Sequence, residues 1–517
     1  MGEWLSMPAH THQAESAATG DGPNICVLGL DGATWEMLDP WLEDLPTIRA
    51  FAETLHATLD SSIPPISVPA WKCYSTGLEP GQLGVFTFVA PDFEAQQFKT
   101  VTSETFTQRE IWDYLGEEGY RSAVINMPST SPPREINGWM VSGPFSKETD
   151  FADPKSLQRS LAQAGYTIIP EYYLRRDPAA IDAALEVVDQ RLDLALELAS
   201  EADFIHLTLY IIDTVQHVEF DSAVAREFWI EVDQRLGAFL SALGRDWNVV
   251  LMSDHGFGRS AGKFYLNTWL EREGYLQLSD SGIDIGDIAA ALRIDYQTAF
   301  AIVRTLRIER LLRTVFPTEF LLRVARQLPG NRRLQGLQEK IDWGSVAIAL
   351  PPLIYTTDRA TAEEIREKLF LVEAPDGTRI IDEVFFGEDL YPDSEVRVPD
   401  LIVKHTDWDI NPVFNPDTMF EAAPTDGIIA HHRRNGILSA RGPDLQPFVG
   451  TEARLVDLAP TILDAYGLPI PTAMSGDSIG LFGSNGRLAD VPIDRTQQRR
   501  IEHDDAVEQK LKELGYL

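Results

Sequence analysis

Three short, largely apolar runs in this chain each stop on an aspartate: ICVLGLD at Asp31, DFIHLTLYIID at Asp213 and NVVLMSD at Asp254. A strand that is apolar along its whole length is covered on both faces, as happens in parallel sheets flanked by helices. Between these runs lie segments with leucine, valine and alanine at helical spacing, from about Pro178 to Ala202 and from about Ala223 to Leu243. The expected fold is therefore α/β, a mostly parallel central sheet with helices on both faces. Ligands in that architecture gather beyond the carboxyl ends of the strands, where all three aspartates fall.

The chain has 517 residues, 44% of them hydrophobic, enough for one elaborated domain with a large core. The expected layout is a flexible segment over 1–23 and a catalytic domain over 24–481. A helical insertion over 283–340 interrupts that domain, and a charged, partly helical tail covers 482–517. The insertion carries many arginines, read as a solvated helix pair against an acidic protein. The net charge of -35 argues against a nucleic acid polymer as partner, since phosphate backbones are bound by clustered Lys and Arg. No apolar run reaches the roughly 18 residues needed to span a bilayer, so no membrane partner is expected. The start lacks the basic and apolar regions of a signal peptide, which points to the cytoplasm. Cys26 and Cys73 are too few for a disulfide scaffold, and Cys26 lies inside an apolar strand as a buried thiol.

The chemistry lies in a set of scattered ligands. Asp213 and His217 are four apart, so a helix beginning there turns both the same way. His432, in IIAHHRRNG, can complete that site and leave one position open for water or substrate. Asp254 and His255 are adjacent and precede Gly256, where a sharp turn brings both to a second ion that Asp31 completes. Mixed carboxylate and imidazole donors suit zinc, with manganese or iron as alternatives. Two such ions about 4 Å apart form the clamp used in displacement at phosphorus. Ser67, at a helix start in PPISVPAWKCYSTG, is a nucleophile that a metal would activate. An ordinary serine N-cap is the competing reading. His206 is expected to be a packed core histidine, and Lys72 an exposed helical lysine.

The ordered set LGLDG, PPISVPAWKCYSTGLEPGQLGVFTF, IDTVQH, MSDHGFG and HHRRNGILSARGP resembles the alkaline phosphatase superfamily. Within it, the chain is most similar to the type I phosphodiesterase/nucleotide pyrophosphatase family. FYLNTWLEREGYL and VDLAPTILDAYGLPIP are similar to further segments of that family. The likeness runs from Asn24 to Pro471 except for the helical insertion. It implies that Asp213, His217 and His432 hold one zinc and Asp31, Asp254 and His255 the other. Ser67 would then sit against both metals as the nucleophile and pass through a covalent phosphoserine, with a small phosphate ester as substrate.

The family pattern has threonine where this chain has Ser67, so the natural substrate does not carry over with the metals. A phosphomonoesterase is one alternative. The run Ser67 to Trp71 also resembles the sulfatase signature, which has arginine where this chain has Trp71, making a sulfuric ester hydrolase the other. Nothing in the sequence sets the oligomeric state.

Overall fold

The computed structural model describes residues 22–144, 146, 149–170, 178–278, 341–405, 407–411, 414–423, 428–483 and 486–495. The expected helical insertion, most of the N-terminal segment and the tail from 496 lie outside the described residues.

A nine-stranded sheet organises the rest. Its strands, in chain order, are β1 (Asn24–Gly29), β2 (Ala57–Asp60), β3 (Ser122–Ile125), β4 (Gly138–Val141), β5 (Ala152–Asp153), β6 (Phe204–Thr208) and β7 (Trp247–Met252). Two small-sheet strands, β8 (Gly256–Arg259) and β9 (Ala430–Arg433), come next, followed by β10 (Asn435–Arg441) and β11 (Glu452–Arg454), which rejoin the large sheet. Its spatial order is β11-β2-β10-β7-β1-β6-β3-β4-β5. The pairs of β1 with β6 and β7, of β3 with β4 and β6, and of β2 with β11 are all parallel. Only β10, against β2 and β7, and β5, against β4, run antiparallel. The sheet is mostly parallel, as expected.

Successive side chains on a strand point to opposite faces, and β1 shows why every position had to be apolar. Ile25 and Val27 pack into one core with Trp71 and Tyr74 of helix α1 (Ser67–Thr76). Cys26 and Leu28 pack into a second core with Val187 and Leu194 of α2 (Pro178–Leu198). Helices α3 (Ile211–Glu219) and α4 (Ala223–Leu243) add Val215, Trp229 and Leu236 to that second core. Helices therefore cover both faces.

One expected boundary is corrected. The run DFIHLTLYIID reads as a single strand to Asp213, yet β6 stops at Thr208 and α3 begins at Ile211. The helix is itself buried along its length, so its apolar residues continue the pattern of the buried strand without a visible break. A second antiparallel sheet, formed by Ala347–Leu350, Leu353–Thr356, Leu401–His405 and Ile381–Phe386, stands apart from the large one. A single bridge joins Glu373 and Arg379, and Ile381–Phe386 pairs with Leu401–His405. Among the described residues, no helix is long and apolar enough to cross a membrane.

Candidate metal centre and nucleophile

All seven side chains singled out in the sequence meet at the carboxyl edge of the large sheet. Asp31 lies just past β1, and Asp254 and His255 lie just past the adjacent parallel strand β7. Asp213 sits in the first turn of α3 and His217 in its last, with Asp213 Oδ2 3.5 Å from His217 Nε2. His432 comes from β9, which pairs antiparallel with β8 and lies opposite Phe257. Its Nε2 is 3.1 Å from Asp213 Oδ1. His255 is at the centre: its Nε2 lies 3.3 Å from Asp254 Oδ2, 3.7 Å from Asp31 Oδ1 and 3.1 Å from Ser67 Oγ. Its ring stacks on His432 with centroids 3.8 Å apart.

The donor atoms form two overlapping groups that share His255, one with Asp213 and His432 and one with Asp31 and Asp254. His217 borders the first group through Asp213.

Three imidazoles are oriented in the same manner. Nδ1 of His217 faces the Ala430 carbonyl at 2.9 Å, that of His255 the Gly256 carbonyl at 3.0 Å and that of His432 the Pro65 carbonyl at 3.2 Å. A carbonyl only accepts, so each Nδ1 carries the proton and each Nε2 presents a lone pair to the cluster. Metal-binding histidines are oriented by such outer partners. The carboxylates are held comparably. Asp31 Oδ2 accepts the Trp71 indole N–H at 2.9 Å, and Asp254 Oδ1 accepts the Gly32 amide at 3.3 Å. Their other oxygens, Asp31 Oδ1 and Asp254 Oδ2, are buried without a hydrogen-bond donor among the described residues. Buried carboxylate oxygens left in that state are costly, and a cation is the partner that satisfies them.

The electrostatics agree. Burial, reinforced by the charges of Asp254 and Asp213, pushes the Asp31 carboxyl well above the usual range. Burial pushes Asp254 up to about 7, with His432 opposing and Asp213 adding to the rise. Asp213 goes the other way: burial raises it, but His217 and His432 outweigh that and hold it at about 2. Burial lowers His217 and His255, keeping both neutral and able to bind metal. Three carboxylates packed against three imidazoles share one low-dielectric pocket. Two divalent cations suit that donor set.

Ser67 is the first residue of α1; the N-cap position belongs to Ile66, and no side-chain cap is made. The N-cap reading is thus replaced by a hydroxyl that faces His255 at the positive end of a ten-residue helix. Lys72 is corrected too. It is 1% exposed and paired with Glu110 at 2.6 Å rather than solvated. His206 is a core histidine as expected, wholly buried between Tyr74 Oη and Thr208 Oγ1. Of the two adjacent histidines, His431 pairs with Asp409 at 3.3 Å while His432 joins the cluster, because neighbours on a strand face opposite ways.

Two supporting residues escaped the sequence reading. Trp71 lies four residues after Ser67, one helical turn on, and donates to Asp31. Gly29 makes room for it, since a Cβ there would lie 2.4 Å from the Trp71 ring. The helical spacing from Ser67 was the available signal.

The comparisons with known proteins agree with this architecture. No curated protein sequence matches the chain. Among solved structures, phosphonoacetate hydrolase from Sinorhizobium meliloti is similar at 15% identity and a TM-score of 0.54, over 84% of this chain and 94% of that one. Human ectonucleotide pyrophosphatase/phosphodiesterase 5 is similar at 14% identity and a TM-score of 0.51, over 88% of this chain and 97% of that one. The alkaline phosphatase PafA is similar at 13% identity and a TM-score of 0.51, over 89% and 99%. At these identities the likeness is one of fold. The model of one sequence family matches residues 25–317, more than half of the chain, and so this protein belongs to the type I phosphodiesterase/nucleotide pyrophosphatase family.

Proposed function

We propose that the chain is a two-metal phosphoric ester hydrolase that attacks a small phosphodiester or pyrophosphate with Ser67 and passes through a phosphoserine. The observation that carries this reading is the position of Ser67 Oγ, 3.1 Å from Nε2 of His255, the residue common to both groups of candidate donors. Asp213, His217 and His432 would hold one cation, and Asp31, Asp254 and His255 the other, with zinc favoured and manganese or iron as alternatives. When bound, such a pair supplies Lewis acidity to the serine oxygen and to the phosphoryl oxygens.

The chain's own groups do the rest. Ser67 O–H lies against Nε2 of His255, which places the oxygen at the cluster. The first turn of α1 directs its positive end toward the phosphoryl group as negative charge develops. Ser67 Oγ forms the bond to phosphorus while the ester oxygen opposite leaves. Water then attacks the phosphoserine from the vacated side and returns the serine. Relatives described with phosphonoformate or AMP bound support a small phosphorus anion as ligand.

Rates on bis-p-nitrophenyl phosphate, p-nitrophenyl phosphate and p-nitrophenyl sulfate, measured side by side, test the reading. The diester is expected to be turned over fastest, and preferential sulfate hydrolysis would overturn the assignment. Ser67→Ala is expected to lower turnover by at least about a thousandfold, the scale seen when an activated nucleophile is removed. Metal content should remain near two per chain by elemental analysis. Retained activity in that variant excludes the phosphoserine.

A further inference from the structure

A second crevice opens on the same carboxyl edge of the sheet, beside the candidate metal centre. It is a cavity of about 220 Å³, room for a small anion. The topology builds it. Asp60 is the last residue of β2, Arg454 is the last residue of the parallel strand β11 and pairs with Asp60 in register, and Arg434 immediately precedes β10 on the other side. Glu79 and Tyr391 complete its polar wall.

The hydrogen bonds show what remains unsatisfied there. Ser62 Oγ is committed to the Pro64 carbonyl at 2.8 Å, and Tyr391 Oη to the Ile63 carbonyl at 2.5 Å. Glu79 accepts the backbone amide of its own capping box. Asp60 takes one Arg434 nitrogen, while Arg434 Nε is buried without an acceptor among the described residues. Arg454 gives Nη2 to Asp457 at 2.8 Å and to the Ser475 carbonyl at 3.1 Å. Guanidinium carries five N–H donors and no acceptor, so these two arginines, both lining the cavity, hold more donors than these bonds use. Burial raises the Asp60 and Glu79 carboxyls from their ordinary values, and the charges of Arg434 and Arg454 oppose that rise in both. The cavity also shares a wall with the metal centre. Ser61 lines it and donates Oγ–H to the Asp254 carbonyl at 2.5 Å, and Arg434 lies two residues from His432.

We propose that this cavity is a second binding site, separate from the metal centre, for a small molecule bearing a carboxylate or phosphate gripped by Arg434 and Arg454. A forked guanidinium pair suits a planar carboxylate or a phosphate face, and no other strong donor in the cavity is uncommitted among the described residues. The site does not depend on hydrolysis at Ser67.

Calorimetric titration of the full-length, metal-loaded Ser67→Ala protein with inorganic phosphate, and separately with succinate, tests it. At least one probe is expected to show a binding event that Arg454→Gln weakens about tenfold or more, the worth of a lost charged hydrogen bond. Arg434→Lys, which keeps the charge beside Asp60 but loses the fork, is expected to weaken the same event. Arg454 is half-exposed, so its substitution should leave the fold intact, checked by an unchanged melting temperature. A phosphate event that Asp254→Asn removes and the arginine variants spare belongs to the metal centre. An arginine-dependent event with either probe supports the cavity and identifies which chemistry it takes. If neither probe shows an event that depends on Arg434 or Arg454, the proposal is overturned, whatever the outcome at Ser67.

Discussion

Asp31 illustrates how much one ligand depends on a neighbour of another type. Its Oδ2 is fixed by the Trp71 indole, which rests on Gly29, leaving Oδ1 directed at the His255 side of the cluster. Trp71→Phe keeps an aromatic ring at this position and deletes the N–H. The expected result is a metal affinity lower by about ten- to a hundredfold, the usual effect of losing an outer partner of a ligand. Titration with a competing chelator measures it, and unchanged affinity would mean that Asp31 is oriented by its burial alone. The same scale explains which residues were legible. Asp254 and His255 sit next to a strand end and glycine, so their role could be read locally. Trp71 looked like any core aromatic, because nothing in a sequence shows that an indole donor will find a carboxylate forty positions away.

At the scale of elements, α1 is anchored at its buried side as firmly as it is exposed to chemistry at its start. Lys72 pairs with Glu110, Arg134 bridges Glu110 at 2.9 Å and Asp113 at 2.6 Å, and Ser75 donates to Glu110 at 3.0 Å. Lys72 and Arg134 hold Glu110 down at about 2 despite the upward effect of its burial. A broken buried pair leaves an uncompensated charge, costing about 3–5 kcal/mol, whereas removing both partners costs much less. Lys72→Met should therefore destabilise the protein by roughly that amount, lessened by Arg134, and Lys72→Met with Glu110→Gln should regain a good part of it. Denaturant unfolding of the single and double variants checks this. Equal losses in both would show that Glu110 is satisfied without the lysine. An amphipathic reading of α1 could not anticipate this, since a lysine is assigned to solvent unless its partner, here the residue capping the helix Ile111–Glu117, is known.

For the molecule as a whole, the buried cluster around Asp254 ties stability to pH. A carboxyl whose folded pKa is raised stabilises the fold while protonated; for Asp254 that contribution is present below its ordinary value of 3.8 and is lost as pH rises through about 7. The neutral buried histidines impose the opposite trend, and a variant shares it. In chelator, Asp254→Asn should therefore gain stability relative to the parent as pH rises from about 4 to about 7, after which the difference levels off. Melting temperatures across that range read it out. Saturating divalent metal should reverse the order at neutral pH, because the parent binds the cation better. A difference between the two chains that does not change with pH in chelator would show that Asp254 stays ionised when the site is empty.

The sequence by itself determined the type of sheet, the covering of both faces and the chemical identity of the donors. Periodicity records which faces of an element are buried, and that information is local. Only the tertiary structure decided that His255 is shared between two donor groups, that the helix carrying Asp213 starts at Ile211, that Lys72 is buried and that Asp60, Arg434 and Arg454 enclose a second crevice. Those outcomes depend on strand order and on contacts such as that of Gly32 with Asp254, 222 positions apart, where the partner is chosen by packing of the whole sheet rather than by neighbours in the chain.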